Sequence, residues 1–324
     1  MNKKILVIAN KNNYTVDILN KNQVDVSYAY GKKSTFLKKI IKRLWHIIKI
    51  PRFEIFFGFR NLDIKKYDII ILYECTYPCD IVKYLLYNTN KTKIIYWYWN
   101  SIAKQRNTMI YNAKNDLDNL LLLREKYSDR LYLFSFDRDD CKRYDLYYNN
   151  QVAPQLCIRD KKYKIKQDVF FCGQDKNRYE YLKKIAMKLD TYGITHKFIL
   201  VMNKMHNCEI DKNIIPIRDE IPYRDLIINV LESNCVLDLV QENQGGITWR
   251  PLEAMFYKKK LVTSFKKIAN YDFYCQENVF ILGIDDLNKL YEFIQAPYRS
   301  IDKNIIRKYT ADGWIENFLM RINS

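Results

Sequence analysis

The chain has 324 residues, 48% of them hydrophobic and 28% charged, which supplies two buried cores and excludes a disordered chain. Its 54 basic and 37 acidic side chains leave a formal charge of +17, so negatively charged partners are favoured: nucleic acid, an anionic membrane or phosphorylated substrates. The eight cysteines include no CxxC pair and the three histidines are scattered, so zinc-site spacing is absent and the thiols read as reduced and cytosolic.

The first apolar run, residues 5–9, is too short for the apolar region of a signal peptide and reads as a buried strand. Residues 25–30 read as a second strand. Residues 36–50, FLKKIIKRLWHIIKI, form the clearest amphipathic helix, with Phe36, Ile40, Ile41, Leu44, Ile47 and Ile48 at helical spacing. Lys38, Lys39, Lys42 and Arg43 fill the other side, Trp45 lies between, and no acid interrupts the stretch. That pattern suits the surface of an anionic membrane, although a core-facing helix with a solvated lysine face has the same spacing. No stretch reaches the ~18 apolar residues of a spanning helix.

Residues 68–73, DIIILY, read as a buried strand ending at Glu74. A helix is expected over 80–87, a strand over 93–99, a helix over 115–126 and a strand over 131–136. Continuous apolar strands separated by helices predict a parallel sheet covered on both faces. The pattern weakens over 144–166, around Pro154 and a basic run, which reads as a linker between domains 1–158 and 159–324. It then resumes with strands at 168–172, 196–202, 235–240, 260–264 and 279–282, and helices at 178–192, 223–233, 249–257 and 287–294. An amphipathic helix over 301–322 ends the chain. The fold class expected is α/β, two tandem doubly wound Rossmann-like domains.

Two strand-to-helix turns of the second half carry the chemistry. Gly245 and Gly246 follow the strand at 235–240 and precede the helix opening at Thr248. A glycine pair lets the backbone approach a ligand, and the amides of a helix start favour an anion such as a diphosphate. Glu253, one turn into that helix, faces hydroxyl groups such as those of a sugar ring; a bare connection without a ligand fits the same residues. In the other turn, DVFFCGQDKNRYEY, the strand ends at Gly173 and Arg178 opens the next helix. Ligands of open α/β sheets lie beyond the carboxyl ends of strands. Arg178 would offer a diphosphate fixed donors, with Lys176 as a weaker second. A solvated charge run is the competing account, but cations at a helix N-terminus oppose its dipole unless an anion is bound.

These residues resemble a known family. The turn with Gly173, Asp175, Lys176 and Arg178, followed about seventy residues later by Glu242, Gly246, Arg250 and Glu253, is similar to the donor-binding domain of GT-B glycosyltransferases of bacterial surface polysaccharide (capsule and lipopolysaccharide) synthesis. SFDRDDCKRYDL, residues 135–146, looks like the region before the interdomain linker of such enzymes. The spacing departs from the commonest pattern, in which the paired glutamates stand closer; here Glu242 and Glu253 are eleven apart.

The resemblance implies two Rossmann-like domains facing a central cleft. It implies transfer of a sugar from a nucleotide-diphosphate donor to a saccharide acceptor, lipid-linked in such pathways, on the inner face of the cytoplasmic membrane. Arg178 and the amides of Gly245, Gly246, Ile247 and Thr248 would hold the diphosphate, Glu253 the ribose, and the segment from Arg218 to Tyr223 would lie against the base. No metal cofactor is expected, because basic residues and helix dipoles stabilise the leaving group. Asp137-Arg138-Asp139 has DxD spacing but reads as a structural turn.

An inverting transfer needs a base from the first domain. Glu74, at the end of its strand, is the first candidate and Asp80 the second; each also fits a loop or helix-capping role. Asn10, Trp99 and Asn100 end strands on the same side and would bind the acceptor, while Trp97 reads as core. Two alternatives stay open. A GT-B-like polyol-phosphate transferase would lean on cleft histidines, and His46, His196 and His206 are poorly placed for that. A non-catalytic nucleic-acid- or lipid-binding protein fits the charge, but no nucleic-acid module is recognisable.

Overall fold

Five consecutive apolar residues, Ile5–Ala9, have no polar face to turn outward, and they form a fully buried strand, β1. Such strands need cover on both sides, which a parallel sheet with crossover helices provides. The computed structural model describes residues 3–10, 19, 24–31, 40–41, 44–45, 53–73, 75–102, 113–156, 163–202, 212–241 and 244–323. It divides into two compact units, Met1–Pro154 with Ala311–Ser324, and Gln155–Thr310.

In the first unit β1 is joined by β2 (Asp25–Tyr28), β3 (Ile69–Tyr73), β4 (Lys93–Tyr98), β5 (Leu131–Ser135) and β6 (Tyr147–Tyr148) in the order β2-β1-β3-β4-β5-β6. Every neighbouring pair is parallel. Helices α1 (Pro78–Asn88), α2 (Ala113–Lys126) and α3 (Arg138–Tyr144) follow β3, β4 and β5. Side chains alternate across the sheet. Leu6, Ile8, Ile70 and Leu72 share a core with Ile81 and Leu85 of α1 and Leu117 and Leu120 of α2. Val7, Ile71, Tyr73, Ile95 and Trp97 face the other way.

The terminal helix, Ala311–Asn323, covers that second face. Trp314 meets Trp97 at 5.0 Å and Tyr73 at 5.7 Å, both edge-on, and Phe318 meets Phe134 at 4.7 Å. Lys93 Nζ donates to the carbonyl of Ile322 at 2.6 Å, a cation where the helix dipole favours one. The expectation for 301–322 needs correcting twice. The segment is two helices, and its second half belongs to the first unit, although the sequence assigns it to the second domain. The break is at Tyr309, which is 2% exposed and donates to Asp272 Oδ1 at 2.6 Å while packing edge-on against Phe273. Those contacts hold it to the second unit and end the helix before it.

The second unit contains β7 (Gln167–Gln174), β8 (His196–Val201), β9 (Ile214–Ile217), β10 (Ser233–Asp238), β11 (Lys260–Thr263) and β12 (Val279–Ile281). Their order is β12-β11-β10-β7-β8-β9, again parallel throughout. Its helices are α4 (Tyr179–Thr191), α5 (Tyr223–Leu231), α6 (Trp249–Phe256), α7 (Leu290–Gln295) and α8 (Lys303–Arg307). Leu182, Ala186 and Leu189 of α4 and Leu290 and Ile294 of α7 pack on Phe171, Phe198 and Leu200. α5 and α6 pack against β10.

Three of these elements were not expected from the sequence, and the first, β6, lies inside the stretch read as a linker. β9 contains Pro216, which weakens a strand signal but is tolerated at a sheet edge. α3 replaces the turn expected at Asp137: the Asp137 carboxylate accepts from the amides of Asp139 and Asp140 and so caps a helix.

The strand orders place the winding reversal of each sheet. From β7 the chain proceeds to β8 on one side, and from β10 to β11 on the other, so the adjacent pair β7 and β10 is the point where the winding reverses. Crevices at such points, beyond the carboxyl ends of the strands, are where open α/β sheets take ligands. In the first sheet the corresponding pair is β1 and β3.

Candidate functional site

The turn after β7 is built by one carboxylate. Asp175 Oδ1 accepts from the amides of Arg178 and Tyr179 at 3.1 and 3.0 Å, satisfying two of the free donors at the start of α4. Lys176 and Asn177 between them adopt left-handed φ of 43° and 64°, a region that side chains other than glycine enter rarely. Gly173 leaves space above the strand end. A Cβ there would press on Phe171 Cζ at 3.3 Å and make ordinary contact with Arg178 Nη1 at 3.7 Å, so the Arg178 guanidinium lies close against the end of β7.

The turn after β10 is built by another. Asp238, the last residue of β10 and 2% exposed, accepts from Thr248 Oγ1 and Thr263 Oγ1, both at 2.9 Å. Thr248 in turn accepts from the amide of Arg250 and caps α6. Burial pushes the Asp238 pKa up, against the two threonine hydroxyls and the charges of Arg250 and Arg178. Between the two ends, Gln244 Nε2 donates to the Gly246 carbonyl at 2.9 Å and fixes the glycine turn. Gly245 is half-buried, Gly246 buried, and Ile247, at 1% exposure, is an anchor in the core.

Two arginines converge between these turns. Arg250 donates from Nη1 to Glu253 Oε2 at 2.5 Å and from Nη2 to the Cys172 carbonyl at 2.7 Å, so α6 is tied to β7. Arg178 is half-buried, and its Nε is buried with no hydrogen-bond partner. Burial depresses the Arg178 pKa and nearby Arg250 adds to this, against the charges of Asp238 and Asp175. Burial likewise depresses Lys176, with Arg178 acting in the same direction and Glu220 against it. The arrangement holds unused donors and positive charge at the winding reversal, beside a capped helix start, which is the chemistry of an anion site.

Of the residues read from sequence, Gly173, Lys176, Arg178, Gly246, Thr248 and Arg250 are brought together at the ends of β7 and β10. Glu253 is there too but is 0% exposed. Its Oε2 is taken by Arg250 and its Oε1 has no well-formed hydrogen bond. Tyr223, also buried, lies against it: burial first, then the Glu253 charge, raises the Tyr223 pKa. The segment before Tyr223 reaches β7 through Glu220 Oε1, which accepts from Gln174 Nε2 at 2.8 Å. Glu242 lies outside the described residues. Asp238 is the residue that sequence reasoning missed. Its signal was an aspartate closing the buried run CVLD, ten positions before the helix cap.

In the first unit Glu74 lies outside the described residues. Asp80 is half-buried in the first turn of α1, where a carboxylate suits the dipole; Tyr77, not Asp80, holds the cap position. Asn10 is half-buried just past β1 and Asn100 is exposed just past β4. Trp99 packs on the core beside Tyr73 at 6.4 Å, and Trp97 is fully buried. Lys38, Lys39, Lys42 and Arg43 lie outside the described residues. Trp45 is half-buried and packs edge-on against Phe56 at 5.4 Å. Among the described residues no helix is long and apolar enough to cross a membrane, and no group of three or more His, Cys, Asp or Glu side chains is placed to hold a metal ion.

Fold and topology together define a two-domain α/β protein of tandem Rossmann-like units. Solved structures share this architecture over their full length. Sucrose-phosphate synthase (tll1590) from Thermosynechococcus elongatus is 10% identical with a TM-score of 0.56, over 99% of this chain and 98% of that one. Anabaena Alr3699/HepE, solved in complex with UDP and glucose, is 9% identical with a TM-score of 0.55, over 99% and 100%. AviGT4, a glycosyltransferase involved in avilamycin A biosynthesis, is 10% identical with a TM-score of 0.54, over 99% and 97%. No family model and no curated protein matches the sequence.

Proposed function

We propose that the chain is a GT-B-type glycosyltransferase that moves a sugar from a nucleotide-diphosphate donor to a saccharide acceptor. The observation that carries this reading is the pair of turns after β7 and β10, where Arg178, with its unpartnered Nε, and the Thr248-capped start of α6 meet at the winding reversal. The donor diphosphate lies against Arg178, Lys176 and the amides around Gly246 and Thr248. As the glycosidic bond to the diphosphate breaks, these groups take up the developing charge, an electrostatic contribution of the kind that dominates many enzyme sites. The fully buried Glu253 acts by holding Arg250 and Tyr223; a direct hydrogen bond to the ribose needs its Oε1 uncovered. Glu74 or Asp80 removes the acceptor proton if the configuration inverts.

The acceptor is a lipid-linked saccharide of surface polysaccharide synthesis, and the enzyme works at the inner face of the cytoplasmic membrane. Ile40, Ile41 and Leu44 support membrane contact. They are 39%, 39% and 51% exposed, apolar side chains facing solvent within a strongly basic segment.

The test is a thermal-shift screen against UDP-, GDP-, CDP- and TDP-sugars, since a ligand that binds only the folded state raises the midpoint as its concentration exceeds Kd. Calorimetry with the best donor then compares Arg178→Ala with the unaltered protein. Losing charge-assisted hydrogen bonds worth about 1.5–3 kcal/mol weakens binding by roughly ten- to a hundredfold. Equal affinity in the two proteins removes the donor site from these residues.

A further inference from the structure

The first unit carries a groove walled by the 3-10 turn Phe53–Phe56, the exposed side of α1 and the end of α2. Its volume is about 690 Å³, within the ~300–1,000 Å³ of ligand pockets. Aromatic side chains form its floor and are held before any ligand arrives. Phe57 meets Tyr84 edge-on at 5.3 Å and stacks on Phe59 at 5.1 Å, and Phe53 packs edge-on against Phe57 at 6.0 Å. At the rim Tyr87 is 88% exposed, a large ring surface left in water.

Charged groups stand among these rings. Glu54 and Lys83 line the groove, and among the described residues neither side chain has an ion pair or hydrogen bond. Asp80 lines one end, in the first turn of α1 just after β3. That end of the groove therefore opens at the carboxyl edge of the first sheet, where α/β sheets take ligands.

We propose that this groove binds the saccharide chain of the acceptor. An acyl or isoprenoid chain laid here would desolvate Glu54 and Lys83 with nothing to pair them. The lining sets two carboxylates, Glu54 and Asp80, against two cations, Lys83 and Lys126, so it offers a phosphate-rich ligand no net positive charge. A sugar ring presents an apolar C–H face to Tyr87 and Tyr84, hydroxyl donors to the carboxylates and hydroxyl acceptors to Lys83. Phe56, next to the lining residues Phe53 and Phe57, packs edge-on against Trp45, so the groove lies near the basic segment proposed to touch the membrane. The inference rests on the glycosyltransferase reading for the identity of the chain it holds, and its binding test is separate from donor binding.

The probe is an array of short neutral and acidic oligosaccharides, read with the unaltered protein and with Tyr87→Ala, Glu54→Gln and Arg178→Ala. Tyr87 is exposed, so its replacement leaves the core intact, and a matching thermal midpoint verifies this. Retention of a subset of glycans by the unaltered protein, weakened about tenfold by Tyr87→Ala, reduced by Glu54→Gln and kept by Arg178→Ala, is the expected result. Silence across the array, or glycan retention untouched by Tyr87→Ala and Glu54→Gln, overturns the proposal. So does a loss of undecaprenyl-phosphate vesicle binding in Tyr87→Ala without any glycan binding, which assigns the groove to a lipid chain. Loss of nucleotide-sugar affinity in Arg178→Ala reports on the donor reading alone.

Discussion

The carboxylate of Asp238 at the end of β10 accepts a hydrogen bond from Thr248 Oγ1 at 2.9 Å, ten residues later, and so closes the glycine turn between them. The same carboxylate accepts from Thr263 at the end of β11. One buried acid thus aligns two strand ends and a helix start, and it places negative charge beside Arg178 and Arg250.

Thr248→Ala tests that closure. It removes the cap of α6, worth about 1 kcal/mol, and deprives a buried carboxylate oxygen of its donor, worth a further ~1–3 kcal/mol. Urea denaturation is expected to show the second unit destabilised by roughly 2–4 kcal/mol, and Thr248→Ser, which keeps the hydroxyl, to recover most of it. Equal stability of Thr248→Ala and the unaltered protein rejects the closing role.

Glu253→Ala acts first on stability. Removing one partner of a buried ion pair costs about 3–5 kcal/mol, because the other charge is stranded. A second change, Arg250→Met, leaves no charge to strand, so the double variant is expected to be more stable than Glu253→Ala alone. A double-mutant cycle in denaturant measures the coupling. Additive losses rule out an energetic pair, and any nucleotide affinity lost in Glu253→Ala must be read at matched folded fractions.

The elements with both faces buried were legible because their sequence alternates nothing: ILVIA at β1 and IIILY at β3 leave no polar side to expose. The two strand-to-helix turns proposed to hold the donor stood out in the sequence at Gly173, Arg178 and the Gly245–Gly246 pair, since glycines and cations at helix starts are otherwise disfavoured there. What stayed hidden depended on distant contacts. The buried state of Glu253 follows from Arg250 reaching across to the Cys172 carbonyl of β7, a contact seventy-eight positions away in sequence. The position of the terminal helix follows from Trp97 and Tyr73 needing cover, and neither residue announces its partner. Asp238 was overlooked because a single acid after an apolar run is also the ordinary mark of a strand end.

Asp140 predicts a pH dependence in the first unit. It is 3% exposed, accepts from the amide of Ile102 at 2.7 Å, and burial pushes its pKa from 3.8 to about 6, helped by Asp137 and opposed by the Ile102 amide, Ser101 and Arg143. Between those two values the folded state binds more protons than the unfolded state, so this residue's contribution makes stability fall as pH rises from about 4 to 6. Asp140→Asn keeps an acceptor for Ile102 without the buried charge. It is expected to be more stable than the unaltered protein at pH 7 and to lose this residue's share of the slope. Denaturation midpoints across that range are the measurement, and parallel curves for the two proteins contradict the assignment.

Trp314 tests whether the terminal helix is a structural part of the first unit. Its ring is fully buried against Trp97 and Tyr73, and its carbonyl accepts from Asn149 Nδ2 at 3.0 Å. Truncating a buried tryptophan to alanine costs about 3–5 kcal/mol, through lost transfer energy and the cavity left behind. Trp314→Ala is therefore expected to lower the unfolding transition of the first unit, while the second unit keeps its own midpoint, since the rings packed on Trp314 among the described residues all belong to the first. Trp314→Phe fills part of the cavity and gives a smaller loss. Denaturation followed by hydrogen exchange separates the units: lost protection in β1, β3 and β4 with retained protection in β7 and β10 agrees with the packing, and loss confined to β7 and β10 refutes it.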